Sequence, residues 1–116
     1  MYILADIAVA AVALLHVYIL VLEMFLWEKP IGLRTFWMDA DFAAATRTLA
    51  ANQGLYNGFL AMGLLWSLYT GDAHVQRFFL GCVVTAGVYG GLTANARILW
   101  VQGAPGALAF LLTEFV

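Results

Sequence analysis

From Ile7 to Trp27 the chain is apolar except at His16 and Glu23, and about 20 such residues are what one helix needs to cross the ~30 Å of hydrocarbon in a bilayer. This run constrains the fold more than any other feature. Three further apolar stretches follow at 49–69, 76–92 and 98–116. Each is continuous rather than alternating and about twice the length of a membrane β-strand, so strands are disfavoured. The expected fold is all-α, a single membrane domain over residues 1–116 forming a four-helix bundle with antiparallel up-down spans at 7–27, 49–69, 76–92 and 98–116. Composition agrees: 65% of residues are hydrophobic and 10% charged, against about 45–50% and about 25% in soluble domains. The N-terminus has no basic region and no small-residue cleavage site after its apolar stretch, so it is read as a retained span rather than a signal peptide. No internal repeat points to an inverted-repeat transporter.

Charge sets the frame. Five Lys and Arg against seven Asp and Glu provide no basic field for a phosphate backbone, which excludes nucleic-acid binding. Lys29, Arg34, Arg47 and Arg97 fall in the two connections on one side and Arg77 alone on the other, which predicts the first side to be cytoplasmic and both termini to lie on the outer face. Between spans one and two, Glu28, Lys29 and Pro30 end the first run, and a cytoplasmic amphipathic segment at 39–48 opens with Asp39 as N-cap and continues into the second span. Pro105, beside Gly103 and Gly106, should kink the fourth span. Cys82 is the only cysteine, so a disulfide, a redox pair or a thiolate metal cage within the chain is impossible.

Span three carries Gly87, Gly90, Gly91 and Ala94 within one arc of about 100°. Helices in lipid are held together by close approach across small residues. This face is expected to pack either within the monomer or in a homo-oligomer. Gly54 and Gly58 form a second such pair in span two.

The polar exceptions in the spans share a depth. Glu23, Asn52, Gln53 and Gln102 each lie three or four residues inside the cytoplasmic end of a span, roughly 5 to 7 Å below one interface. Tyr56 and Asn57 extend the layer one turn deeper, and Tyr89 approaches it from span three. His16 lies two turns from Glu23 on nearly the same face, about 10 Å away along the axis. An ionised carboxylate at this depth is expensive, so Glu23 should face the bundle, protonate or be reached by water, with Gln53 or Asn52 as hydrogen-bond partner. The set His16, Glu23, Asn52, Gln53, Tyr56, Asn57, Tyr89 and Gln102 is thus a candidate ligand-binding pocket open to the cytoplasm. The alternative is interhelical glue, in which these groups only satisfy one another.

Other chemistries find no support. A His and a Glu two turns apart do not make a chelating pair, and His74 falls in an outer loop, so no metal is expected. The only lysine, Lys29, is in a loop, where a retinal Schiff base cannot form. Ser67, the only serine, has no His or Asp nearby in sequence to activate it. No cofactor is implied.

The stretches Leu22–Trp27, Ala50–Phe59, Phe79–Cys82 with Gly87–Gly90, and Val101–Gln102 followed by Pro105 resemble the small bacterial membrane proteins grouped as domain of unknown function 1304. The run Ala50–Phe59 is the most specific part. The resemblance covers nearly the whole chain and implies a four-span protein of the bacterial inner membrane with no assigned activity. Three functions are compatible with the residues. The first is binding or carriage of a small amphipathic or lipophilic molecule, with Glu23 as the charge-bearing group. The second is an enzyme on a lipid-like substrate using Glu23 and His16 as acid and base. The third is an accessory or scaffold subunit joined through Gly87, Gly90, Gly91 and Ala94.

Overall fold

A computed structural model describes residues 2–114. Among the described residues there are helices and no strands. Helix α1, Tyr2–Met24, stops three residues before the apolar run does. The chain turns here because Lys29 N–H bonds the Leu26 carbonyl at 3.1 Å, while the Trp27 indole leaves the helix to donate to Thr46 Oγ1 at 3.1 Å. Its ring also packs 4.9 Å from that of Phe36.

Pro30 not only follows the end of the first run but starts a second helix, α2, Pro30–Phe36. A proline in the first turn loses nothing, because its missing N–H would have had no helical partner there. This helix sits so close to the end of α1 that a Cβ on Gly32 would come within 2.6 Å of the Trp27 carbonyl oxygen. It closes with Trp37 in the left-handed region, φ 54° and ψ 53°, and Met38 N–H reaches back to the Leu33 carbonyl at 2.9 Å.

Helix α3, Ala40–Thr70, runs unbroken for 31 residues. Asp39 caps it, its Oδ1 accepting from Phe42 N–H at 2.7 Å. Helix α4, Ala73–Thr93, is capped in turn by Asp72, whose carboxylate accepts from His74 and Val75 N–H. After a two-residue link, Asn95 caps α5, Ala96–Ile98, which passes through a π-helical turn at Leu99–Gly103 into α6, Ala104–Glu114. The break expected at Pro105 takes this form: the helix widens ahead of the proline, so that Ala104 N–H bonds the Leu99 carbonyl five residues back.

Among the described residues three helical segments are long and apolar enough to cross a membrane, Ile3–Met24, Ala73–Thr93 and Ala96–Glu114, rather than the four expected. Helix α3 has the length but not the hydropathy. Asn52, Gln53 and Asn57 within one and a half turns dilute its apolar part.

The chain divides into two compact units, Leu15–Phe59 and, together, Met1–Leu14 with Leu60–Val116. In the latter, Val9, Val12 and Ala13 of α1 cluster with Leu64, Leu80, Val83 and Ala109. Gly87 of α4 lies so close to the π turn that a Cβ there would stand 2.5 Å from Gly103 Cα, and one on Gly91 would meet Leu99 Cβ at 2.7 Å. The glycine face of α4 is therefore packed within the chain. Arg77 joins the start of α4 to the end of α6. Its Nη2 donates to the Thr113 carbonyl at 2.9 Å and its Nε lies 3.3 Å from Glu114 Oε1. Buried Ser67 donates to the Leu64 carbonyl at 2.6 Å, a backbone-directed use of its hydroxyl.

In the Leu15–Phe59 unit, α3 meets α1 across Gly54 and Gly58. A Cβ on Gly54 would lie 2.5 Å from Met24 Cγ and 3.2 Å from Glu23 Cβ, and one on Gly58 would lie 2.8 Å from Leu20 Cδ1. This approach brings the polar groups of the two helices within reach of each other.

Candidate functional site

The site is built on that contact. Because Gly54 and Gly58 remove the side chains that would hold α3 away, Asn57, between them on the same side of the helix, reaches α1. Its Nδ2 donates to Glu23 Oε1 at 2.6 Å. Both residues are half-buried.

Glu23 also borders a cleft of about 530 Å³ whose walls carry Trp27, Glu28, Lys29, Arg47 and Thr48. Its charges are mixed. Arg47 Nη1 lies 3.7 Å from Glu28 Oε1, an exposed pair that contributes little to stability. Lys29 makes no ion pair among the described residues. The cleft thus carries two carboxylates, Glu23 and Glu28, two cations, Lys29 and Arg47, and the Trp27 indole. Such a lining offers groups of both charge signs beside the apolar flank of Trp27.

The structure brings together only part of the expected layer. Glu23 pairs with Asn57 and not with Asn52 or Gln53. Those two, with Tyr56, are exposed, because successive residues on a helix are about 100° apart and the face turned to α1 is the one carrying Gly54 and Gly58. His16 is fully buried and does not line the cleft. Tyr89, which is 70% exposed, and half-buried Gln102 belong to the other compact unit. Among the described residues no group of three or more His, Cys, Asp or Glu side chains could hold a metal ion.

The charged residues of the cleft went unassigned in the sequence. Lys29 and Arg47 serve there only to orient the chain, and Trp27 only as the end of the first apolar run. The available signal was the alternation of Glu28, Lys29 and Arg47 around the end of the same span that carries Glu23.

The model of a protein family described as protein of unknown function (DUF1304) matches residues 10–113. An uncharacterized protein, YpaA, of Lactococcus lactis subsp. lactis (strain IL1403) is 33% identical over 108 residues, a match covering 90% of this chain and 91% of that protein. No solved structure matches the chain.

Proposed function

Since the chain belongs to the DUF1304 family of proteins of unknown function, its role must come from its own residues, and we propose that it binds a small amphipathic molecule. The polar head of that molecule occupies the cleft beside Glu23, and its chain extends into the bilayer. Carriage of the molecule is an extension of the same reading. One observation carries it: the carboxylate held by Asn57 at 2.6 Å borders an open cleft of mixed charge instead of being closed off by apolar packing. Glue between helices requires only the Glu23–Asn57 pair and leaves the cleft without a use.

The topology supporting this reading has four spans in a bacterial inner membrane, with α3 crossing beside α1, the cleft at the cytoplasmic side and both termini outside. The bias of Lys29, Arg34, Arg47 and Arg97 against Arg77 favours that orientation.

Trp27 supplies the assay. In a variant keeping Trp27 as sole tryptophan, with Trp37, Trp66 and Trp100 changed to Phe, emission should shift saturably as an alkylamine, a fatty acid or a zwitterionic lysolipid is added to the protein in nanodiscs. Glu23→Gln should weaken the binding of the responding probe by about tenfold, the loss of one charge-assisted contact. A saturable response unchanged by Glu23→Gln, or no response to any of the three probes, would defeat the proposal.

A further inference from the structure

Asn52, Leu55, Phe59, Met62, Trp66 and Tyr69 of α3 are all exposed. They follow one another at steps of three, four, three, four and three residues. Alternating steps of three and four, two positions in every seven residues, are the pattern of a left-handed helix–helix seam, and such a stripe stays on one side of a supercoiled helix. Gly54, Ala61 and Leu64, which the fold buries, lie on the opposite side, and buried Gly63, packed against Phe79 of α4, lies at the flank of the stripe. The stripe is therefore a second helix face that the described residues leave exposed.

On the proposed topology, in which α3 crosses the membrane, five of the six residues lose nothing by facing lipid, but Asn52 does. Its amide makes no hydrogen bond among the described residues, and an amide in hydrocarbon is costly until it finds a partner. We propose that α3 of one copy packs along α3 of a second copy, in parallel, with Asn52 hydrogen-bonded to Asn52 of that copy. Three arguments select a second copy of this chain as the occupant. An amide both donates and accepts, so Asn52 is complementary to itself across a two-fold axis. Two copies inserted in the same orientation are related by an axis along the membrane normal, which sets equivalent helices parallel and in register. A single Asn in an otherwise apolar seam is also the device that fixes register and two-strandedness in coiled coils. Exposed Tyr56 borders the same contact. The other surface considered for self-association, Gly87 with Gly90 and Gly91, is covered by Ile98, Leu99 and Gly103 of its own chain. The dimer goes beyond the cleft, which Asn52 does not line.

Single cysteines placed in a Cys82→Ser background test the seam in native membranes. On oxidation, Asn52→Cys, Leu55→Cys and Phe59→Cys should give disulfide-linked dimers. Leu65→Cys, exposed but roughly 100° round the helix, should give few. Absence of dimers at the first three positions, or equal dimers at all four, overturns the proposal. In liposomes of phosphatidylethanolamine and phosphatidylglycerol, energy transfer between labelled copies should show Asn52→Leu weakening association about three- to tenfold, and Asn52→Gln retaining it. Leucine suits a lipid-facing helix, so equal association of Asn52→Leu and the parent chain removes Asn52 from the interface.

Discussion

Glu23 shows how strongly one residue's partner depends on its neighbours' side chains. The Asn57 amide reaches the carboxylate because Gly54 and Gly58 let the backbones approach, and a Cβ on Gly54 would already stand 2.5 Å from Met24 Cγ. Truncation by Asn57→Ala leaves the carboxylate short of a donor, and the expected loss of stability is about 1 to 2 kcal/mol, within the range for charge-assisted and intramembrane hydrogen bonds. Unfolding in mixed micelles would measure it, and the loss should shrink when the same change is made on a Glu23→Gln background, where the acceptor is no longer ionisable. An equal loss in both backgrounds would show that packing, not the hydrogen bond, is what Asn57 supplies. The glutamate was legible in the sequence as an expensive group needing a partner, but the partner was not. Asn52, Gln53 and Asn57 lie within about a turn and a half of one another, and depth alone does not choose among residues pointing in different directions. The glycine pair chooses, since it marks which side of α3 can approach α1.

At the scale of elements, the same distinction between glycines that admit a neighbour and glycines that merely occur can be measured. A Cβ at Gly87 would lie 2.5 Å from both Gly103 Cα and Gly103 N, backbone atoms that cannot swing aside, whereas one at Gly81 would have nothing within 4 Å. Gly87→Ala should therefore destabilise by about 1 to 3 kcal/mol through overpacking. Gly81→Ala, in the interior of α4, should stabilise by roughly 0.5 to 1 kcal/mol through helix propensity. Opposite signs in one unfolding assay are the expected result; a destabilising Gly81→Ala would mean that its face is packed in the membrane. The apolar periods and the caps Asp39 and Asp72 made the long helices readable. Helix α2 was not readable, because Pro30 satisfies the rules for ending a helix and for starting one equally well, and only the close fit of Gly32 beneath the Trp27 carbonyl decides between them. The π turn had a visible cause in Pro105 without a visible form, since a missing N–H can be absorbed by a bend or by a wider turn.

For the whole molecule the open choice is whether α3 crosses the membrane. By hydropathy it stands apart from the three segments that are long and apolar enough to do so. Its contacts argue otherwise. In one unit Gly54 and Gly58 lie against Leu20, Glu23 and Met24 of α1, and in the other Leu64 clusters with Val9, Val12 and Ala13 of the same helix, so within each unit α3 is packed on an apolar span. At about 1.5 Å per residue, 31 residues reach roughly 46 Å, enough to cross ~30 Å of hydrocarbon and extend beyond it. The amides that lower its hydropathy are compatible with crossing if they are satisfied, Asn57 by Glu23 and Asn52 by a second copy. The alternatives differ in sidedness. If α3 crosses, Thr35 and Asn95 share the cytoplasmic side and Asp72 lies outside; if it does not, Thr35 and Asp72 share one side and Asn95 lies on the other. With Cys82→Ser as background, Thr35→Cys, Asp72→Cys and Asn95→Cys can each be exposed to a membrane-impermeant maleimide in intact spheroplasts and again after permeabilisation. Labelling of Asp72→Cys alone before permeabilisation is the expected outcome. Labelling of Thr35→Cys together with Asp72→Cys, or of Asn95→Cys alone, would leave three spans, place the two termini on opposite sides of the membrane and remove the antiparallel four-helix arrangement on which the cleft's position depends.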